Sequence, residues 1–237
     1  MGIGPGDYDQ MTIRAARALS EADVIIGYTV YVDLVKDHFA GKEFMTTPMK
    51  KETERCELAF EVAESGKTVA MICSGDAGVY GMAGLILGIG KDHPETQVEI
   101  IPGVTAALSG AAVLGAPLIH DFCLISLSDL LTPWEKIEKR LLAAGEADFA
   151  VCLYNPSSKK RYDYLQKACD LMMQFKSPET VCGIVENIGR EGEKMKVMTL
   201  KELRDTQVDM FTTVFVGNSQ TKEIGGRMVT PRGYKAE

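Results

Sequence analysis

The sequence predicts an α/β protein of two domains, a first built on a mainly parallel sheet and a second on a mixed sheet, with the active-site cleft between them. Three observations predict it. Short apolar runs rich in β-branched residues alternate with amphipathic runs of helical period along the 237 residues, the pattern of parallel sheets covered by helices. Two strand-like runs, TVCGIVENI and KMKVMTL, are joined by IGREGE with no room for a helix, which requires a hairpin and so a mixed sheet. The strand-like runs are also too many for one sheet of ordinary size.

The elements follow in order. VIIGY (24–28) reads as a strand and YVDLVKDHF as a short helix. EFMTT (43–47) precedes KKETERCELAFEVAES, in which Cys56, Ala59, Phe60 and Ala63 fall at helical spacing and which Gly66 stops. TVAMIC and QVEII read as buried strands, and VTAALSGAAVL as the helix after them. FCLISL, DFAVCLY, TVCGIVENI, KMKVMTL and FTTVFVG are the strands of the second series. PWEKIEKRLLAAG and SKKRYDYLQKACDLMMQF are its long helices, with Thr132 or Asp129 as the cap ahead of Pro133. The boundary is expected in LGAPLIHD, giving domains 1–117 and 118–237 without a flexible linker.

Composition narrows the function. The net charge is −7, which speaks against general nucleic-acid binding. Nothing reaches the roughly 20 apolar residues of a membrane span, and no signal-peptide pattern opens the chain, so a cytoplasmic protein is expected. The six cysteines are scattered without a C-x-x-C spacing; they are expected to be reduced, packed as small hydrophobes and not to hold a metal.

A glycine loop, GIGPGD, stands near the start, and four further loops follow strand-like runs: SGDAGVYG after TVAMIC, PGVTA after QVEII, YNPSS after DFAVCL, and GNSQT after FTTVFV. The first has neither the spacing of a phosphate loop nor that of a dinucleotide fingerprint, and taken alone it reads as a tight turn with Asp7 capping a helix. Any one of these loops serves as a turn. Together these four, each read at a strand's carboxyl end, look like the walls of one site, and glycine lets a ligand approach the main chain.

The order of these motifs resembles that of the class III, tetrapyrrole S-adenosylmethionine methyltransferases over nearly the whole chain. GDAGVYGMAG, GAPLIHDFCLISLSDLLTPWE, YNPSSKKR, GREGE, GNSQT and MVTPRGY narrow the resemblance to the precorrin-3B C-17 methyltransferases of vitamin B12 synthesis. The resemblance implies a homodimer that takes S-adenosylmethionine and a tetrapyrrole, either precorrin-3B or its cobalt counterpart, and it implies methylation at C-17 with contraction of the macrocycle. Carried over residue by residue, it places the cofactor against Gly75, Asp76, Ala77, Val79, Tyr80, Thr105, Ala106, Asn155 and Gly217, with Pro5 at the floor of the cleft. Asn155 stands where many relatives carry methionine after the strand-ending tyrosine. Members also begin with several strand residues before the first glycine loop, where this sequence has Met1 to Ile3; the first strand is either very short or begins upstream.

Methyl transfer from a sulfonium asks chiefly for alignment and exclusion of water, which accounts for the lack of a Ser/His/Asp set. Ring contraction needs protons moved, and His120 and Asp129, in the most specific block, are the candidates. A substrate with many carboxylates requires local cations in an acidic protein. Arg190 and Arg232 are the substrate-binding candidates, beside the loop residues Lys50, Lys51, Lys159, Lys160 and Arg161. The competing expectations are a tetrapyrrole methyltransferase acting at another ring position and a tetrapyrrole-binding protein without catalysis.

Overall fold

The computed structural model describes residues 1–234. Its elements are α1 (Ile13–Glu21), β1 (Val24–Tyr28), α2 (Thr29–Asp33), β2 (Glu43–Thr47), α3 (Glu52–Glu64), β3 (Val69–Met71), α4 (Ala83–Ile89), α5 (Ala106–Leu114), β4 (Gly115–Ala116), β5 (Phe122–Ser126), α6 (Trp134–Glu146), β6 (Ala150–Tyr154), α7 (Tyr164–Met172), β7 (Val181–Glu186), β8 (Lys194–Thr199), α8 (Leu200–Arg204), β9 (Thr212–Val216), β10 (Lys222–Ile224) and β11 (Arg227–Val229). They form two compact units, Met1–Ala106 and the remainder from Ala107.

The first unit holds a parallel sheet in the order β2-β1-β3. The chain start extends it: Ile3 N–H donates to Cys73 C=O and Cys73 N–H to Met1 C=O, both at 2.9 Å. QVEII, expected as a strand, contributes one bond there, from Gly2 N–H to Ile101 C=O, and is otherwise irregular. Ile25, Leu19, Val32 and Ile72 pack on one side of this sheet, and Val24, Ile26, Cys56 and Phe60 on the other. That double burial is why VIIGY is apolar without alternation. Thr12 caps α1 by accepting from Ala15 N–H, whereas Asp7, expected to cap a helix, closes only the short 3₁₀ turn Tyr8–Gln10.

The second unit is built on a five-stranded sheet, β5-β6-β9-β7-β8, with β5 and β6 parallel and β9 antiparallel to both β6 and β7. The hairpin β7–β8 is where IGREGE requires it. A small sheet, β10-β11-β4, was not foreseen. Helix α5 packs here: a Cβ on Gly110 would meet Ile188 and Phe215, and one on Gly183 would meet Leu114. The compact units therefore differ from the 117/118 boundary by that helix and the short β4. Helix α6 begins with Pro133 as its N-cap and without a side-chain cap, so neither Thr132 nor Asp129 plays that part. Helix α7 starts at Tyr164, later than expected, because residues 155–163 form a loop.

Cys56, Cys73, Cys152, Cys169 and Cys182 are buried, Cys123 is partly so, and all six are free thiols. Burial raises the thiol of Cys56 to about 11 and that of Cys182 to about 12.

Candidate functional site

In the first unit the glycine loops join through the main chain. Gly4 N–H donates to Gly75 C=O at 3.1 Å, and Gly75 N–H returns a bond to Gly4 C=O at 2.6 Å. Asp76 ties in a third segment: its carboxylate accepts from Gly78 N–H at 2.7 Å and from Gly103 N–H at 2.9 Å. The loop carrying Gly75, Asp76, Ala77, Val79 and Tyr80 is thus fastened to the one carrying Thr105 and Ala106. Pro5 follows Gly4 directly and is buried.

The glycines divide by task. A Cβ on Gly2 or Gly103 would fall on the carbonyl oxygen of Gly75, and one on Gly81 would stand 2.5 Å from Ala77 O, so these glycines permit loop-on-loop packing. Gly75 differs. It holds φ of +67°, and a Cβ there would meet Thr105 Cα at an ordinary 3.6 Å. Its glycine character answers to backbone angle; the residue itself is buried, and its N–H and C=O are both bonded to Gly4. Tyr80 also takes a left-handed φ of +54° and is 55% exposed.

In the second unit, strand direction decides what meets what. The carboxyl ends of β5, β6 and β7 lie along one edge of the sheet. That edge carries Ser126 to Asp129, Asn155 to Arg161, and Asn187 to Arg190. Asn155 and Asn187 close β6 and β7 in left-handed conformations, φ +53° and +52°, which asparagine adopts more readily than most residues. Asn155 Nδ2 donates to Ser126 Oγ at 3.0 Å. Tyr154, the last residue of β6, accepts from Ala107 N–H at the start of α5 at 2.8 Å. Arg190 donates its N–H to Asn187 C=O and sets its guanidinium over the Phe211 ring, 5.8 Å from the centroid.

Asp129 is held from two sides. Tyr164 Oη donates to one carboxylate oxygen at 2.6 Å and Arg161 Nη1 to the other at 3.1 Å. The Tyr164 hydroxyl first, then the Arg161 guanidinium, hold this carboxyl below its ordinary range. Near neutral pH it is ionised and engaged by both partners.

His120, Gly217 and Arg232 lie at the opposite edge. His120 precedes β5, so the strand's length, about 15 Å, separates it from the end that leads to Asp129. It accepts the Asp121 N–H on Nδ1 at 2.8 Å and is 48% exposed. His120 and Asp129, though close in sequence, therefore lie at opposite ends of β5. Gly217 follows β9, which runs antiparallel to β6, so GNSQT meets the starts of β6 and β7. Gly217 N–H donates to Val181 C=O, and a Cβ on Gly217 would come 2.6 Å from Thr221. Ser219 donates twice to Asp148, the residue two before β6. Burial opposes the ionised form of Asp148, yet Ser219 and the buried Lys176 hold its carboxyl below the ordinary value. Arg232 Nη1 donates to Ile119 C=O at 3.3 Å. GNSQT does follow the carboxyl end of its strand, but because β9 runs antiparallel to β6 that end lies at the opposite edge of the sheet from YNPSS.

Sequence reasoning passed over Ser126, Tyr164 and Asn187 at the carboxyl edge. The signal was present in two strands that each end on a polar residue followed by Asn. Among the described residues no cluster of histidines, cysteines and acids is arranged to hold a metal ion, and no helix is long and apolar enough to cross a membrane.

Residues 1–204 match the family of tetrapyrrole (corrin/porphyrin) methylases. The chain is 49% identical over 235 residues to a probable cobalt-factor III C(17)-methyltransferase of Salmonella typhimurium, covering 99% of this chain and 98% of that protein. It is 45% identical to a cobalt-factor III methyltransferase of Priestia megaterium, across 99% of this chain but 44% of that longer protein. Among solved structures, the methyltransferase CobJ superposes with a TM-score of 0.89 at 37% identity, covering 97% of both chains. Uroporphyrin-III C-methyltransferase of Thermus thermophilus, solved with S-adenosyl homocysteine, shares the fold at a TM-score of 0.71 and 22% identity.

Proposed function

On the premise that the chain belongs to the tetrapyrrole (corrin/porphyrin) methylase family, as its match over residues 1–204 establishes, we propose that it methylates C-17 of cobalt-factor III with contraction of the macrocycle, in cobalamin synthesis. The single observation that carries the substrate is the 49% identity to the Salmonella protein along nearly the full length of both chains. The chain is a methyltransferase of this class, and the cobalt-bearing substrate is favoured over the metal-free one because relatives at 43–49% identity are named for it.

The methyl donor in this reading is S-adenosylmethionine, which supplies a methyl group already activated on a sulfonium. The residues fit such a group. The loop from Asp76 to Tyr80 is braced by Asp76 and exposes Gly78 and Tyr80, with Gly75 holding its start against Gly4. Thr105 and Ala106 lead into α5, a nine-residue helix whose first amides favour a carboxylate. Asn155 belongs to this set as a strand-end residue of left-handed backbone, and Pro5 through the loop joined to Gly75. Asn187, of the same geometry as Asn155, is a more natural member than Gly217, whose missing side chain serves Thr221.

The chain's own residues supply alignment and charge. Asp129 fixes the loop after β5 against Arg161 and Tyr164. Arg190 presents a cation at the same edge for a peripheral carboxylate. His120 serves proton transfer only if substrate reaches the other edge. The chain works as a cytoplasmic homodimer in this reading, as the family resemblance implies.

The test is incubation of the purified chain with S-adenosylmethionine and cobalt-factor III under anaerobic conditions, following S-adenosylhomocysteine release and the product's mass. One added methyl on a contracted macrocycle is expected. Methylation of uroporphyrinogen III instead makes it a methyltransferase for another position, and binding without S-adenosylhomocysteine release makes it a carrier.

A further inference from the structure

Leu130 is 65% exposed and Leu131 is 93% exposed, side by side in the loop after β5. Single exposed leucines are ordinary. These two are held outward by fixed ends. Leu127, three residues before, is fully buried and donates its N–H to Tyr154 C=O at 2.9 Å. Asp129 is clamped by Arg161 and Tyr164. Trp134, three residues after Leu131, packs on the Tyr164 ring at 4.5 Å. Between the packed Leu127 and Trp134, the two leucines stand exposed to solvent.

The same clamp fixes what lies beside them. Arg161 ends the run Lys159–Lys160–Arg161; it is spent on Asp129, while both lysines are exposed. One ion pair of 3.1 Å thus sets an apolar pair and a cationic pair on adjoining loops at one edge of the sheet. A protein with a net charge of −7 that gathers cations beside exposed leucines is matched to a ligand with an apolar face and an anionic rim. A second copy of the chain is the poorer match, since protein interfaces bury about 800 Å² per partner and exclude lysine from their cores.

We propose that Leu130 and Leu131 bear on the face of the tetrapyrrole macrocycle, that Lys159 and Lys160 receive its peripheral carboxylates, and that Asp129 is the positioning residue joining the two pairs. This rests on the function proposed above and names the residues that select the substrate's shape and charge.

The test uses the full chain. Cobalt-factor III is titrated against the emission of Trp134, the sole tryptophan. S-adenosylmethionine affinity is followed by calorimetry and molar mass by light scattering. The double variants L130S/L131S and K159Q/K160Q are each expected to weaken macrocycle binding about tenfold, as expected for lost apolar contact in the first and lost charged contact in the second. Cofactor affinity and mass should hold, and the lysine effect alone should shrink as salt is raised. Leu131→Met should restore binding to within about twofold, since it keeps apolar bulk. Unchanged macrocycle affinity in both double variants overturns the proposal. So does a fall in molar mass with unchanged affinity, which makes the leucines a contact between copies, and so does equal loss of cofactor binding, which makes the loop a support of the fold. A wild-type chain that binds no cobalt-factor III overturns the proposed function itself, a result distinct from variants that bind as well as wild type.

Discussion

The side-chain amide of Asn155 donates to Ser126 Oγ at 3.0 Å and so couples the carboxyl ends of β6 and β5. The bond fixes a strand end whose backbone is left-handed. The two catalytic candidates do not share this edge: Asp129 lies on it, and His120 lies a strand's length away.

Replacing His120 by Ala is expected to leave S-adenosylhomocysteine release and macrocycle contraction within about twofold of wild type, the scale of a surface change outside a site. Both are followed in one reaction, the first by chromatography and the second by absorption. Loss of contraction alone returns His120 to proton transfer, and an equal fall in both makes it a support for substrate or fold.

The two candidate arginines should behave differently. Arg190→Ala, at the carboxyl edge, is expected to raise the KM for the tetrapyrrole by roughly ten- to a hundredfold, the loss of one charge-assisted contact, with cofactor affinity unchanged. Arg232→Ala, whose guanidinium serves the Ile119 carbonyl, should leave that KM near wild type. Steady-state kinetics at saturating cofactor separates them.

Glycine substitutions separate fold from binding. Gly103→Ala drives a methyl onto the Gly75 carbonyl and should lower the melting temperature markedly. Gly75→Ala meets only ordinary contacts and costs about 1–2 kcal/mol for its left-handed angle. It should keep the chain folded yet weaken S-adenosylmethionine binding in calorimetry. Full affinity in Gly75→Ala places the cofactor elsewhere.

The Asp129 clamp carries a pH dependence whose sign is fixed. Its folded carboxyl titrates below the ordinary value, so its contribution is present above about pH 4 and is lost as pH falls through the lower folded value. Trp134, packed on Tyr164, should report this as an emission change in acid that is absent from Asp129→Asn. The neighbouring Asp163, likewise lowered by Lys167, is controlled for by Asp163→Asn.

Much of the fold was legible because it is written in local period. VIIGY, DFAVCLY and the amphipathic 52–64 segment announce themselves over a few residues, and Gly66 marks a helix end with its own backbone angle. The direction of β9 was not legible. FTTVFV has the composition of a central strand whichever way it runs, and only its register, Val216 opposite Val151, sends Gly217 to the amino edge. Gly217 looked like a ligand loop for the same reason that Gly103 did: glycine admits a close neighbour, and the sequence does not say whether that neighbour is a ligand or the chain itself. QVEII is not a strand because, although Val98 and Ile100 pack on the core, its main chain makes a single bond to the sheet, at Gly2.

The buried thiols give the molecule two internal clocks. Alkylating reagents attack thiolates, and groups with raised pKa inside a core react only when the surrounding structure opens. Cys56 reports the opening of the first unit, and Cys152, Cys169 and Cys182 that of the second. Labelling each set over time, read by mass, resolves whether the two units open together or one ahead of the other, and whether a bound cofactor slows one clock or both.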